Sequence, residues 1–124
     1  MKILIIGLGS IGKKHVVTLK SILKKVDIIA LRSSINAKKI PGITNVHSYK
    51  EIENMSIDFA IVSNPTYNHL ETINNLIKFE IPLFIEKPLN SSLNIEDLID
   101  VINQKKIYTY VACNLRFLDC IRFV

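Results

Sequence analysis

The sequence predicts one α/β domain built on an open, doubly wound parallel sheet. Three observations support this fold class. A continuous aliphatic run at residues 2–7 is typical of a parallel strand that is covered on both faces. Apolar runs then alternate with helical patterns along the chain. A glycine-rich stretch joins the first strand to the first helix. The 124 residues suffice for one domain, and we assign residues 1–124 to it.

The elements follow from apolar spacing and from turn signals. Apolar residues three and four apart, such as Leu70, Ile73 and Leu76, mark buried helix faces. Ser48 and Glu51 have capping-box spacing, Thr66 is a candidate cap, and Ser92 or Asn94 is a candidate cap for the last full helix. We predict strands at 2–7, 26–31, 45–47, 57–63, 83–85 and 108–112, and helices at 11–25, 48–55, 67–79 and up to 105, with another starting at 115.

Composition and charge exclude several classes of protein. The net charge of +5 is modest, and the lysines and arginines are dispersed without a stripe of interleaved aromatics, so we predict no nucleic-acid partner. No apolar run approaches the roughly 18 residues of a membrane span. Cys113 and Cys120 are too few for a disulfide framework. We therefore expect a cytoplasmic protein with reduced thiols, no membrane partner and no metal site.

The stretch Gly7-Leu8-Gly9-Ser10-Ile11-Gly12 carries the first functional signal. Gly7 permits a tight turn out of the strand, Gly9 lets a pyrophosphate approach the backbone, and Gly12 permits close packing of the helix. The N–H groups of Ser10, Ile11 and Gly12 at the helix start favour an anion. Because a strand precedes this stretch and a helix follows it, we predict a dinucleotide site rather than a glycine turn without a ligand.

The end of the second strand bears on which dinucleotide is bound. An acid is expected there to hold the ribose 2′-hydroxyl, but the sequence reads Arg32-Ser33-Ser34. An arginine can pair with a 2′-phosphate, and two serine hydroxyls can add hydrogen bonds. The three residues favour NADP over NAD. The alternative is that Arg32 is solvated or stacks on the adenine of either cofactor.

Four stretches together resemble the N-terminal domain of the Gfo/Idh/MocA family, named for glucose–fructose oxidoreductase and inositol dehydrogenase. The resemblance covers nearly the whole chain, and its specificity comes from the order and spacing of the stretches. They are Gly7-x-Gly9-x-x-Gly12-x-x-His15, Val62-Ser63-Asn64-Pro65-x-x-x-His69, Glu86-Lys87-Pro88 and Arg116-Phe117.

The resemblance implies an NAD(P)-binding Rossmann domain of an oxidoreductase that acts on a hydroxyl or keto group of a sugar, sugar derivative or cyclitol. It implies that Lys87 is the catalytic residue, next to the nicotinamide and the reacting oxygen, and that Glu86 lies at the nicotinamide end. It also implies that a segment lines the cofactor, comprising Ser63, Asn64, Pro65 and His69.

The residues themselves leave alternatives open for these roles. Lys87 follows a strand at the edge where open α/β sheets bind ligands, although it could be a solvated loop lysine. Glu86 could instead hold Lys87. We expect His69 to position its loop and His15 to pack on the first helix, and we assign no role to His47.

The chain departs from the family in length. Family members carry a second α/β domain with the substrate pocket, so we expect either a fragment of a longer enzyme or a stand-alone module, with little activity alone. The alternatives are a regulatory module that senses NAD(P) and an enzyme that binds S-adenosylmethionine. We expect an uncovered C-terminal face that favours a homo-oligomer, formed by Leu115, Phe117, Ile121 and Phe123.

Overall fold

A computed structural model describes residues 1–89 and 95–117 of the chain. These residues form one six-stranded sheet in the order β3-β2-β1-β4-β5-β6. Every neighbouring pair of strands runs parallel, which confirms the predicted doubly wound α/β fold. The strands are β1 (Lys2–Ile6), β2 (Asp27–Leu31), β3 (Ile43–Val46), β4 (Phe59–Val62), β5 (Leu83–Ile85) and β6 (Thr109–Val111).

The central strand β1 is buried on both faces. Ile3, Leu4 and Ile5 have no solvent exposure, which explains why its sequence is continuously aliphatic. Because side chains alternate along a strand, Ile3 and Ile5 join the core on one face while Leu4 and Ile6 join the core on the other.

Three helices cover the two faces of the sheet: α1 (Ser10–Ile22), α2 (His69–Leu76) and α3 (Glu96–Gln104). Helix α1 packs Val16 and Leu19 against the face that carries Ile3 and Ile5. Helices α2 and α3 pack on the opposite face, with Ile73 and Leu98 in its core. None of the helices in the described part of the chain has the length and apolar character needed to cross a membrane.

Helix α1 differs from the sequence prediction at its end and in its buried face. It ends at Ile22 rather than at residue 25, because Leu23 already has extended backbone angles. The apolar spacing of Ile11, Val16, Leu19 and Ile22 predicts a shared buried face, but Ile11 and Ile22 are exposed and the buried stripe is Gly12, Val16 and Leu19.

The segment predicted as one helix at 67–79 is three pieces. A 3₁₀ turn at Thr66–Asn68 precedes α2, and another at Ile77–Phe79 follows it. Thr66 makes no side-chain cap; instead the Asn68 N–H donates to the Pro65 carbonyl over 2.8 Å. In α3, Ile99 was expected to face inward but is exposed.

The capping signal at Ser48 and Glu51 starts a 3₁₀ helix at Tyr49–Ile52 rather than a helix to residue 55. The Glu51 carboxylate accepts from the His47 N–H over 3.0 Å and from the Ser48 hydroxyl over 2.9 Å. These bonds lower the pKa of the Glu51 carboxyl, the His47 bond first, because they stabilise its charged form.

At the C-terminal end, a 3₁₀ turn at Asn114–Phe117 follows β6. Leu115 and Phe117 are exposed, as predicted. The other two residues of the expected uncovered face, Ile121 and Phe123, lie outside the described residues, as do the candidate caps Ser92 and Asn94.

The strand order creates one switch point, between β1 and β4. From β1 the chain moves outward to β2 and β3, and from β4 it moves outward in the opposite direction to β5 and β6. The loops that leave the carboxyl ends of β1 and β4 therefore diverge, and open α/β sheets bind their ligands in the crevice between such loops.

Candidate functional site

The three glycines of the turn after β1 have different surroundings. Gly7 has a φ of +89°, and a Cβ on it would lie 2.6 Å from Asn64 Cα. A Cβ on Gly12 would overlap the Gly7 carbonyl oxygen. A Cβ on Gly9 would have no heavy atom within 4 Å. Gly7 and Gly12 are thus required by packing, whereas Gly9 leaves open space next to the backbone.

That open space lies at the N-terminus of α1. Gly9 is the N-cap, no side chain caps the helix, and its first turn contains no acidic residue. Gly9, Ser10 and Ile11 are exposed, so the helix N–H groups and the positive end of the helix dipole face solvent. These features fit the pyrophosphate of a dinucleotide.

Ser63, which directly follows β4, stabilises the glycine turn by hydrogen bonding. Its hydroxyl donates to the Gly7 carbonyl over 2.8 Å and lies 3.2 Å from the Ile6 carbonyl oxygen. The sequence placed Ser63 among the cofactor-binding residues, and in the structure its hydroxyl contacts the turn that would receive the cofactor.

His69 connects two loops of the site. It is 1% exposed, with Nε2 2.9 Å from the Asn64 carbonyl oxygen and Nδ1 3.2 Å from the Leu89 carbonyl oxygen. The first carbonyl belongs to the loop after β4 and the second to the loop that carries Lys87. This arrangement agrees with the expectation that His69 positions loops, since both ring nitrogens are turned to backbone atoms.

A cavity of about 330 Å³ opens at the carboxyl ends of β1, β2 and β4. It brings together five of the residues chosen from the sequence: Gly7, Arg32, Ser33, Asn64 and Pro65. The remaining nine of the fourteen site residues chosen from the sequence do not line this cavity: Gly9, Ser10, Ile11, Gly12, Ser34, Ser63, His69, Glu86 and Lys87.

Helix α2 contributes a polar wall that sequence reasoning missed. The wall consists of Glu71, Thr72 and Asn75 of α2 and of Asn68, which precedes the helix, and the segment at the start of the 3₁₀ helix adds His47, Ser48 and Tyr49. The four residues from 68 to 75 are three and four positions apart, so their spacing places them on one helix face. That polar stripe was the available signal, next to the apolar stripe used to predict the helix.

Tyr49 and Asn64 are partly buried residues of the cavity lining. Burial raises the pKa of the Tyr49 phenol, hydrogen bonding with Thr72 offsets part of that rise, and the Glu71 carboxylate adds to it. The Asn64 amide donates to the Thr72 hydroxyl over 2.8 Å. In the described part of the chain, the Asn64 Oδ1 atom is buried without a hydrogen-bond partner.

Arg32 is held at the rim of the cavity. Its backbone N–H donates to the Val46 carbonyl over 2.9 Å. Its guanidinium donates to the Lys38 carbonyl over 3.3 Å and lies 3.5 Å from Asn45 Oδ1. The side chain is half-buried and also lines a second cavity beside β3. The guanidinium therefore retains donors for a further anion.

Glu86 and Lys87 follow β5, on the other side of the switch point. The Glu86 carboxylate lies 2.7 Å from His15 Nε2, whereas Lys87 is exposed. Within residues 1–89 and 95–117 the structure records no ion pair between Glu86 and Lys87. The alternative in which Glu86 holds Lys87 thus has no contact to support it, and His15 does more than pack on α1.

Comparison with known proteins identifies the class of domain that this fold and site define. Residues 1–112 match the family described as GFO_IDH_MocA, the oxidoreductase family with an NAD-binding Rossmann fold. The chain belongs to this family. It is an NAD-binding Rossmann domain of an oxidoreductase family that includes inositol dehydrogenases.

Particular relatives agree with this assignment. The chain is 29% identical to the myo-inositol 2-dehydrogenase of Thermotoga maritima, over 94% of this chain and 37% of the relative. The myo-inositol 2-dehydrogenase of Lactobacillus plantarum is 26% identical, with a TM-score of 0.84 over 99% of this chain and 39% of that one.

A more distant structure shares the fold. The WlbA dehydrogenase of Chromobacterium violaceum, solved with NADH and UDP-GlcNAcA, has a TM-score of 0.85 at 17% identity, over 99% of this chain and 38% of that one. The chain thus spans about two fifths of the length of the relatives that it matches.

The contrast between Gly9 and Gly12 leads to a first prediction. Gly12→Ala is expected to lower the free energy of unfolding by about 1–3 kcal/mol, because the new methyl group overlaps the turn backbone. Gly9→Ala is expected to leave it within about 0.5 kcal/mol, because that methyl group enters open space. Urea denaturation of both variants measures the difference, and equal stabilities would contradict this account of the turn.

Proposed function

We propose that this chain binds NADP(H) at the carboxyl edge of its sheet and forms the cofactor-binding part of an oxidoreductase. The open backbone at Gly9, at the uncapped N-terminus of α1, carries this proposal. The N–H groups of Ser10, Ile11 and Gly12 would bind the pyrophosphate. The adenosine half would occupy the cavity between Arg32 and the polar wall of α2.

The preference for NADP rests on Arg32, Ser33 and Ser34. No carboxylate follows β2 to accept a hydrogen bond from a ribose 2′-hydroxyl. Arg32 lies at the cavity rim, where its guanidinium can pair with a 2′-phosphate. Glu71 lines the same cavity and favours NAD, because its carboxylate could accept from a ribose hydroxyl and would repel a phosphate. Arg32 at the rim and Lys39, which lines the adjoining cavity, support NADP over this second candidate.

The nicotinamide half would extend from the glycine turn to the ends of β4 and β5, where Lys87 would contact the reacting oxygen. The cofactor supplies the chemistry of accepting or donating a hydride. A lysine ammonium next to a substrate oxygen stabilises the negative charge that develops on it. We propose a hydroxyl or keto group on a sugar, sugar derivative or cyclitol as the substrate. The similarity of the chain to inositol dehydrogenases supports this choice.

The cofactor preference is tested by titrating the chain with NADP(H) and NAD(H). We expect tighter binding of NADP(H). Arg32→Ala is expected to weaken NADP(H) binding roughly 10- to 100-fold and to leave NAD(H) nearly unchanged, because a charged hydrogen bond to phosphate is lost. Arg116→Ala removes the same charge outside the cavity and is the matched control. Absence of binding to either cofactor would contradict the proposal, whereas tighter NAD(H) binding would contradict only the role of Arg32.

Catalysis by the isolated chain is a separate question. We expect no measurable NADPH oxidation or NADP⁺ reduction with sugars, keto sugars or inositols, because described residues such as Lys87 supply only one side of a substrate pocket. The measurement is absorbance at 340 nm under saturating cofactor. Turnover at an ordinary enzyme rate would show that these 124 residues form a complete active site.

We also propose that the chain self-associates through its exposed C-terminal face. Leu115 is 53% exposed and Phe117 is 65% exposed, which leaves apolar surface in water. Sedimentation velocity is expected to show concentration-dependent dimers that are weakened at least threefold by Phe117→Ser. Tyr67→Ser, at an exposed aromatic residue elsewhere, is the control. A monomer at every concentration would exclude this interface.

A further inference from the structure

The strand order indicates which end of the site would hold the adenosine half of the cofactor and which the nicotinamide half. Arg32, at the rim of the cavity, follows β2 on one side of the switch point, whereas Glu86 follows β5 on the other side. A dinucleotide whose pyrophosphate lies at Gly9 therefore directs its nicotinamide towards Glu86. The inference below rests on this proposed binding mode.

His15 and Glu86 form the closest side-chain contact at that end. A carboxylate can only accept hydrogen bonds, so the His15 Nε2–H donates to Glu86 Oε1 over 2.7 Å. The two side chains are 22% and 14% exposed, so the contact is partly withdrawn from water and weakly screened.

The neighbouring strands fix the orientation of this pair. The His15 ring packs edge-on against Phe84, with centroids 5.4 Å apart, and Phe84 stacks on Tyr110 at 5.5 Å. Because side chains alternate along a strand, Phe84 and Glu86 point to the α1 face. The Glu86 carboxylate is therefore held by His15 of α1 and lies apart from the adjacent Lys87.

We propose that His15 is a positioning residue that fixes the Glu86 carboxylate at the nicotinamide end, and that this carboxylate shifts the preference of the site towards the oxidised cofactor, against the opposing charge of Lys87. Hydride addition converts NADP⁺ into NADPH and removes the positive charge of the nicotinamide ring. A fixed negative charge nearby therefore stabilises NADP⁺ relative to NADPH. The pair raises the ratio of the NADPH dissociation constant to the NADP⁺ dissociation constant.

The test is this ratio, measured by calorimetry for NADP⁺ and by fluorescence for NADPH at pH 8.5. Glu86→Gln is expected to lower the ratio roughly three- to tenfold, because it removes the charge. A tenfold change corresponds to about 30 mV in the midpoint potential of the bound cofactor.

Two substitutions of His15 separate positioning from packing. His15→Leu removes the donor and is expected to lower the ratio as Glu86→Gln does, because the carboxylate is released. His15→Gln places an amide N–H at about the same reach and is expected to restore the wild-type ratio. The double variant His15→Leu/Glu86→Gln is expected to change the ratio no more than either single change, since both act through one contact.

Controls separate this effect from general loss of binding. Glu53→Gln makes the same charge change at an exposed position and is expected to leave the ratio unchanged. Affinity for 2′,5′-ADP, which lacks the nicotinamide half, is expected to be the same in all variants. Should His15→Leu fail to fold, His15→Ala, which also removes the donor, takes its place in this comparison.

The outcomes distinguish the two proposals. An unchanged ratio in Glu86→Gln overturns the inference and leaves cofactor binding standing. Equal shifts in His15→Leu and His15→Gln, or wild-type ratios in both, overturn the positioning role. A wild-type chain that binds neither NADP(H) nor NAD(H) overturns the proposed function and this inference together.

Discussion

The close approach of the glycine turn to the end of β4 is the contact on which the rest of the structure depends. Gly7 lies against the backbone of Asn64, the Ser63 hydroxyl donates to the Gly7 carbonyl, and Gly12 lies over the same carbonyl. These contacts join the ends of β1 and β4 at the point where the chain reverses its direction across the sheet. Backbone atoms therefore form the crevice at this point. A side chain at Gly7 or Gly12 would overlap them and push the ends of the two strands apart.

Two polar systems flank this contact and differ in character. One is the cavity at the carboxyl ends of β1, β2 and β4, where amides, hydroxyls and one carboxylate form the wall and the Arg32 guanidinium lies at the rim. On the β5 side, the Glu86 carboxylate is held by His15 from the helix that starts at the glycine turn. Since His15 lies on α1, the helix whose uncapped N-terminus faces solvent also contacts the carboxylate that follows β5.

The sequence predicted the strands and the glycine turn well, because their signals are local. Continuous aliphatic runs require burial on both faces, and each glycine has a distinct steric role. Helix ends were predicted less well: α1 stops at Ile22, where Leu23 turns extended, and no residue type marks that change. The polar face of α2 was missed because only the apolar stripe of that helix was used, and the rest of the cavity wall joins residues from separate elements. The His15–Glu86 contact joins positions 71 residues apart, so only the folded chain reveals it.

The charges along the crevice suit one orientation of a nicotinamide dinucleotide. The guanidinium of Arg32 and the uncapped N-terminus of α1 favour the phosphates, whereas the carboxylate of Glu86 favours the cationic ring at the far end. A reversed dinucleotide would place its ring beside Arg32 and its adenosine phosphate beside Glu86, so both ends would be repelled. In the proposed binding mode, these charges favour the orientation in which the nicotinamide lies towards Glu86. Because the proposed selection uses only residues within the domain, we expect the orientation of the cofactor not to depend on how the substrate is held.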